Sequence, residues 1–166
     1  LKVGVTASSH KVIANLLAAA SKAPQSRGID SAIGQKVGAK SEACVGITAF
    51  KDNGKALDAL SNGHVKILGG TPWLWARPDF EESVDILFVD EAAQMSLANV
   101  LAVSTGCRSL VLLGDPQQLE QPQKGSHPDE TDVSALQHIL GAHKTISAGL
   151  GIFLPETWRL AAADRT

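Results

Sequence analysis

Cysteines, metal-ligand clusters and long apolar runs are all scarce in this sequence, and each scarcity closes off a class of protein. Among 166 residues only Cys44 and Cys107 are cysteines, far apart and outside any CxxC or Cys/His cluster. A disulfide framework and structural zinc are poor fits, and a reducing, cytoplasmic setting is the expectation. The five histidines, at 10, 64, 127, 138 and 143, show no HExxH or comparable ligand spacing, which argues against a metalloenzyme. No stretch comes near the roughly 18 consecutive apolar residues of a spanning helix, so no membrane association is expected. Leu1-Lys2-Val3 offers neither an initiator methionine nor a signal-peptide layout, and reads as a chain that begins inside a domain. There is no GxSxG motif and no cluster of metal-binding acids beyond Asp90-Glu91, which weighs against a serine hydrolase or a nuclease. Internal repeats and low-complexity tracts are absent as well.

What is present is an ordinary globular composition. Hydrophobic residues make up 44% and charged residues 19%, enough to build one core across 1–166 without cross-links. The net charge of −2 is unevenly placed: residues 1–80 hold ten Lys/Arg against five Asp/Glu, and residues 81–166 hold five against twelve. A basic first half suits a polyanion and an acidic second half suits catalytic carboxylates, although solvated surface is the simpler reading of charge alone.

Short β-rich runs alternate with helical patterns, which predicts an α/β fold: a parallel sheet flanked by crossover helices. Strands are expected at Lys2–Thr6, Ala43–Phe50, Val65–Leu68, Asp85–Val89, Leu110–Leu113 and Gly151–Leu154. A helix is expected over His10–Ala20, capped by Ser8 or Ser9, then a shorter one at Lys55–Leu60 and one turn at Pro72–Ala76. Ser96 is placed to cap a helix with Leu97, Val100, Leu101 and Ser104 on one face. Asp132–Leu140 reads as a last helix with Val133, Leu136 and Leu140 inward. Residues 21–42, rich in Ser, Gly, Lys and Gln, show little periodicity and read as an insertion or long connection. Trp73 and Trp75 suit core packing better than base stacking.

The most informative segment is DILFV at 85–89, an apolar run that suggests a strand covered on both faces. It delivers Asp90 and Glu91 at its carboxyl end, where open α/β sheets place their ligands. In phosphoryl-transfer sites one such acid holds Mg²⁺ and the other polarises an attacking water. A surface turn or helix N-terminus accounts for the pair equally well, because acids there suit the macrodipole. A second strand favours chemistry. Val111-Leu-Leu-Gly-Asp-Pro-Gln-Gln-Leu119 again runs from a buried strand to a polar loop, with Gly114 permitting a sharp exit and Gln118 offering an amide at the same edge.

VDEAAQ at 89–94 followed by LLGDPQQL at 112–119 resembles motifs II and III of superfamily 1 helicases, in particular the branch of nonsense-decay and replication helicase–nucleases. Val5–Leu17 (VTASSHKVIANLL) is similar to motif Ia, and Leu154–Leu160 (LPETWRL) is similar to motif IV. The resemblance implies a partial RecA-like P-loop NTPase domain that binds ATP and Mg²⁺ and moves on single-stranded DNA or RNA. By that likeness Asp90 is the Mg²⁺-associated acid and Glu91 the general base. Gln118 couples the γ-phosphate to the nucleic-acid site, and Arg159 stabilises transition-state charge. Ser9 and His10 match the motif Ia pair that contacts the nucleic-acid backbone, and Thr71 matches a further contact. A second RecA-like domain and a fused nuclease domain are the partners the family implies.

One family element is missing: no GxxxxGK[ST] loop occurs anywhere in the sequence. Residues 49–56 come near but lack the first glycine and the final hydroxyl, and residues 138–145 have histidine at both glycine positions. Without that loop the β- and γ-phosphates lose their amide cradle and lysine. After Arg159-Leu160 the family continues with His-Pro, whereas Ala161-Ala162-Ala163 follows here. The sequence thus supports two readings, a piece of an active helicase or a catalytically silent nucleic-acid-binding or interaction domain of the same fold.

Overall fold

The structure, a computed structural model, describes residues 1–25, 32–38, 44–115, 133–143 and 145–154. Its strands are β1 (Val3–Thr6), β2 (Ile33–Lys36), β3 (Thr48–Phe50), β4 (Ile67–Gly69), β5 (Val84–Val89) and β6 (Cys107–Leu112). The helices are α1 (His10–Gln25), α2 (Asn53–Ser61), α3 (Pro72–Trp75), α4 (Leu97–Ser104) and α5 (Ala135–Leu140). The six strands form one sheet in the order β3-β2-β4-β1-β5-β6, and every neighbouring pair is parallel. Parallel neighbours need long crossovers, which α1, α2 and α4 supply. The expected α/β architecture is the one observed.

Local chemistry starts the helices. Ser9 Oγ accepts the Val12 N–H at 3.3 Å, Asp52 Oδ1 the Lys55 N–H at 2.9 Å, Ser96 Oγ the Asn99 N–H at 3.3 Å and Ser134 Oγ the Gln137 N–H at 3.1 Å. Each such cap stabilises its helix by about 1 kcal/mol. The sheet then separates two buried clusters. On one face Val5, Ile13, Leu17, Ile33 and Ile47 pack beneath α1. On the other lies a larger cluster with Leu60, Leu68, Trp75, Phe80, Leu87, Val89 and Val103.

The structure departs from the sequence reading in several places. Within 21–42, Ser21–Gln25 complete α1 and Ile33–Lys36 form β2, an interior strand of the sheet. Its hydrophobic signal is masked because one position is Gly34, where a Cβ would lie 2.6 Å from Phe50 Cε2. Of Ala43–Phe50 only Thr48–Phe50 is strand, and Gly151–Leu154 is exposed and forms none. α4 buries Val100 and Val103, while Leu101 is 60% exposed. α5 starts after its Ser134 cap and buries Ala135 and Leu140, with Val133 and Leu136 only half-buried. β5 is covered fully on one face: Leu87 and Val89 are buried, Ile86 and Phe88 half-buried. β6 begins earlier than expected, at Cys107, and its Leu110, Val111 and Leu112 are half-buried, because among the described residues it pairs only with β5. Among the described residues no helix is long and apolar enough to cross a membrane.

Candidate functional site

The carboxyl ends of β4, β1, β5 and β6 lie side by side, so the four loops that follow them share one edge of the sheet. Backbone hydrogen bonds stitch these loops together. Gly70 N–H donates to Val5 O at 3.0 Å, Asp90 N–H to Thr6 O at 2.9 Å, and Ala92 N–H to Leu113 O at 2.8 Å. Residues from four separate stretches of sequence therefore meet in one rim.

At the centre of the rim stand Asp90 and Glu91. The Glu91 N–H donates to Asp90 Oδ1 at 2.9 Å, and the Glu91 carbonyl accepts the Gln94 N–H at 2.8 Å to open a 3-10 turn over Ala92–Gln94. Glu91 itself is left-handed, at φ 55° and ψ 38°. For a residue with a side chain that conformation costs about 1–2 kcal/mol, and such strain clusters at functional sites. Ser8 Oγ–H donates to Glu91 Oε2 at 2.5 Å, joining the loop after β1 to the loop after β5. Gly114 has no positive φ, so it makes no left-handed exit. It is needed for space, since a Cβ there would lie 3.1 Å from Ala93 N.

Beside the acids, Ser9 caps α1 and His10 is the first residue of that helix. The His10 carbonyl accepts Gln35 Nε2–H at 3.1 Å. His10 Nδ1 and Gln35 Oε1 are both buried with no hydrogen-bond partner. Gln35 gives no functional signal in the sequence, because it lies in the aperiodic stretch 21–42. The only sign of it was an isolated polar residue beside Ile33 and Gly34. On the other side of β1, Thr71 precedes α3, and its hydroxyl makes no capping hydrogen bond. The two tryptophans that follow part company. Trp75 is fully buried and donates from Nε1 to Gly70 O at 3.1 Å and Val5 O at 3.3 Å, while Trp73 is 86% exposed. The expectation of core packing holds for Trp75 and fails for Trp73.

The structure thus brings Ser9, His10, Thr71, Asp90 and Glu91 to one edge of the sheet. Gln118 and Arg159 lie outside the described residues. Residues 72–146, a little under half of the chain, match the family model of the viral superfamily 1 RNA helicase core domain. That segment is similar to the core domain of viral superfamily 1 RNA helicases. It runs from α3 through β5, β6 and α5, and so contains Asp90 and Glu91. No curated protein matches the chain.

The donor set around the two acids decides how they suit magnesium. Asp90 Oδ1 already accepts an amide, Glu91 is bonded to Ser8, and among the described residues no group of three or more His, Cys, Asp or Glu could hold a metal. Magnesium binds readily through one carboxylate together with substrate phosphates. Asp90 fits that arrangement, in which the ion arrives with a nucleotide, and does not form a resident metal cage.

Proposed function

We propose that this chain is part of the first RecA-like domain of a superfamily 1 helicase, one that couples ATP hydrolysis to movement along single-stranded DNA or RNA. The observation that carries the reading is the shared rim, where Glu91 is hydrogen-bonded to Ser8 in the loop that starts α1 and Asp90 to Thr6 at the end of β1. Contact between the two sites gives nucleic acid a direct route to the acids. In this reading Asp90 takes the Mg²⁺ of Mg·ATP, which neutralises charge on the phosphates, and Glu91 accepts the proton of the attacking water. Gln118 and Arg159 serve the γ-phosphate. Ser9, His10 and Thr71 hold the nucleic-acid backbone without reading sequence, and exposed Trp73 offers a stacking face. The second RecA-like domain and a fused nuclease domain belong to the same proposal, as does a cytoplasmic setting, where Cys44 and Cys107 remain free thiols.

A second reading has a specific observation behind it. The absence of a GxxxxGK[ST] loop favours a silent nucleic-acid-binding domain for these 166 residues. Both readings share the strand site, and strand binding tests them together. A labelled single-stranded oligonucleotide should bind with an affinity that falls steeply with salt, as phosphate contacts release counterions. Replacing Ser9 and His10 together by alanine should weaken binding equally for all sequences, because backbone contacts read no sequence. Salt-insensitive binding, or none, would count against the site.

A further inference from the structure

Gln35 lies inside the sheet, 1% exposed, with Ile33 and Gly34 buried beside it on β2. Its side chain reaches across 25 residues of sequence to the start of α1, where Nε2–H donates to the His10 carbonyl at 3.1 Å. A carbonyl oxygen only accepts, so the amide nitrogen must face it, and Oε1 is left over as an acceptor. Three side-chain atoms among the described residues are buried without a partner, and two of them are this Oε1 and Nδ1 of the same His10. Buried polar atoms are nearly always paired, so two orphans on residues already bonded to each other call for one hydrogen bond between them.

We propose that Gln35 is a positioning residue whose Oε1 accepts Nδ1–H of His10, leaving the ring's Nε2 as an acceptor for the ribose 2′-hydroxyl of single-stranded RNA. This inference rests on the strand-site reading of His10 and names the sugar that the site takes.

The acceptor decides the tautomer. A neutral imidazole carries one proton, and the hydrogen bond made by one nitrogen sets which nitrogen keeps it. Oε1 has lone pairs and no proton, so it selects the form protonated on Nδ1. Nε2 is then a bare lone pair. His10 is half-buried with Nδ1 covered, whereas Nε2 is neither covered nor bonded within the protein, so the outer nitrogen is the one open to a ligand at the rim. A lone pair repels a phosphate oxygen and accepts from a hydroxyl. Along a nucleic-acid backbone that hydroxyl is the 2′-OH, which RNA carries and DNA lacks.

The test uses the 166-residue chain at pH 8, where a histidine is ordinarily neutral. Long-range proton–nitrogen NMR spectra, with the His10 signals assigned through His10→Ala, should show the Nδ1–H form in the parent chain. Gln35→Leu, apolar and of similar size, should shift the ring toward Nε2–H, the form a free imidazole prefers. In anisotropy titrations at fixed, low salt, labelled oligo(rU) should bind about two- to tenfold tighter than oligo(dU) of equal length, the worth of one hydrogen bond. Gln35→Leu and His10→Ala should each remove that preference, and the double variant should lose no more than either alone. An Nε2–H ring in the parent chain, equal affinities for the two oligonucleotides, or a preference that survives Gln35→Leu would each overturn the proposal and leave the strand site standing. Absence of binding to either oligonucleotide would overturn the strand site and the ribose contact with it.

Discussion

Trp73 and Trp75 are the same residue two positions apart, and only their phase on a four-residue helix separates a surface from a core. Residues i and i+2 fall on roughly opposite sides of a helix, but one turn is too short to show a period in the sequence. The indole of Trp75 reaches under β1 and β4 and packs edge-on against Phe80 at 5.8 Å between centroids. Trp75→Ala should cost about 3–5 kcal/mol of stability, whereas Trp73→Ala should stay within about 0.5 kcal/mol. Urea titrations of both variants check the contrast, and equal losses would contradict the assigned faces. The acids at 90 and 91 were legible for the opposite reason: an apolar run followed at once by two carboxylates is a local pattern. Ser8 was legible only as an alternative helix cap, because its partner lies on another strand.

Elements announced themselves where burial is one-sided and regular. β1, β5, the one-turn α3 and the Ser96 cap of α4 all fall where alternation, proline or a capping hydroxyl places them. β2 escaped notice because Gly34 and Gln35 fill half of a four-residue strand, so no hydrophobic period survives. β6 was shortened because Arg108 and Ser109 are exposed on a sheet edge, which reads as a loop. At the start of that strand, burial pushes the Cys107 thiol above its ordinary value. A thiol kept protonated by the fold stabilises it fully below the unfolded thiol's value. The contribution is lost as pH rises through that value, near about 8.5, toward the raised folded one. The urea midpoint should therefore fall, above the unfolded thiol's value, more steeply in the parent chain than in Cys107→Ala. Parallel curves would remove Cys107 from the pH dependence.

For the molecule as a whole, sheet and chemistry are unequally complete. The described residues form six parallel strands and two buried clusters, enough to fold cooperatively. Ile86, Phe88 and Val111 remain half-buried on the face away from the larger cluster, and among the described residues β6 has a free edge. Self-association of the isolated chain through that edge is the expected weakness. Catalysis stands differently, because Glu91 can act only on a phosphate that something else holds still, and the sequence supplies no GxxxxGK[ST] loop. Positioning of that kind is worth about 7–11 kcal/mol of barrier, more than the remaining side chains can replace. The 166-residue chain should therefore show no ATP turnover in a phosphate-release assay, with or without single-stranded oligonucleotide. Joined to a segment that carries a phosphate loop, it should turn over ATP, and Glu91→Gln should then reduce the rate by about 10²–10⁴-fold while nucleotide still binds. Turnover by the short chain that Glu91→Gln abolishes would demand a phosphate cradle of another kind. Silence of the joined protein would instead favour the nucleic-acid-binding reading, in which the two acids no longer meet a nucleotide.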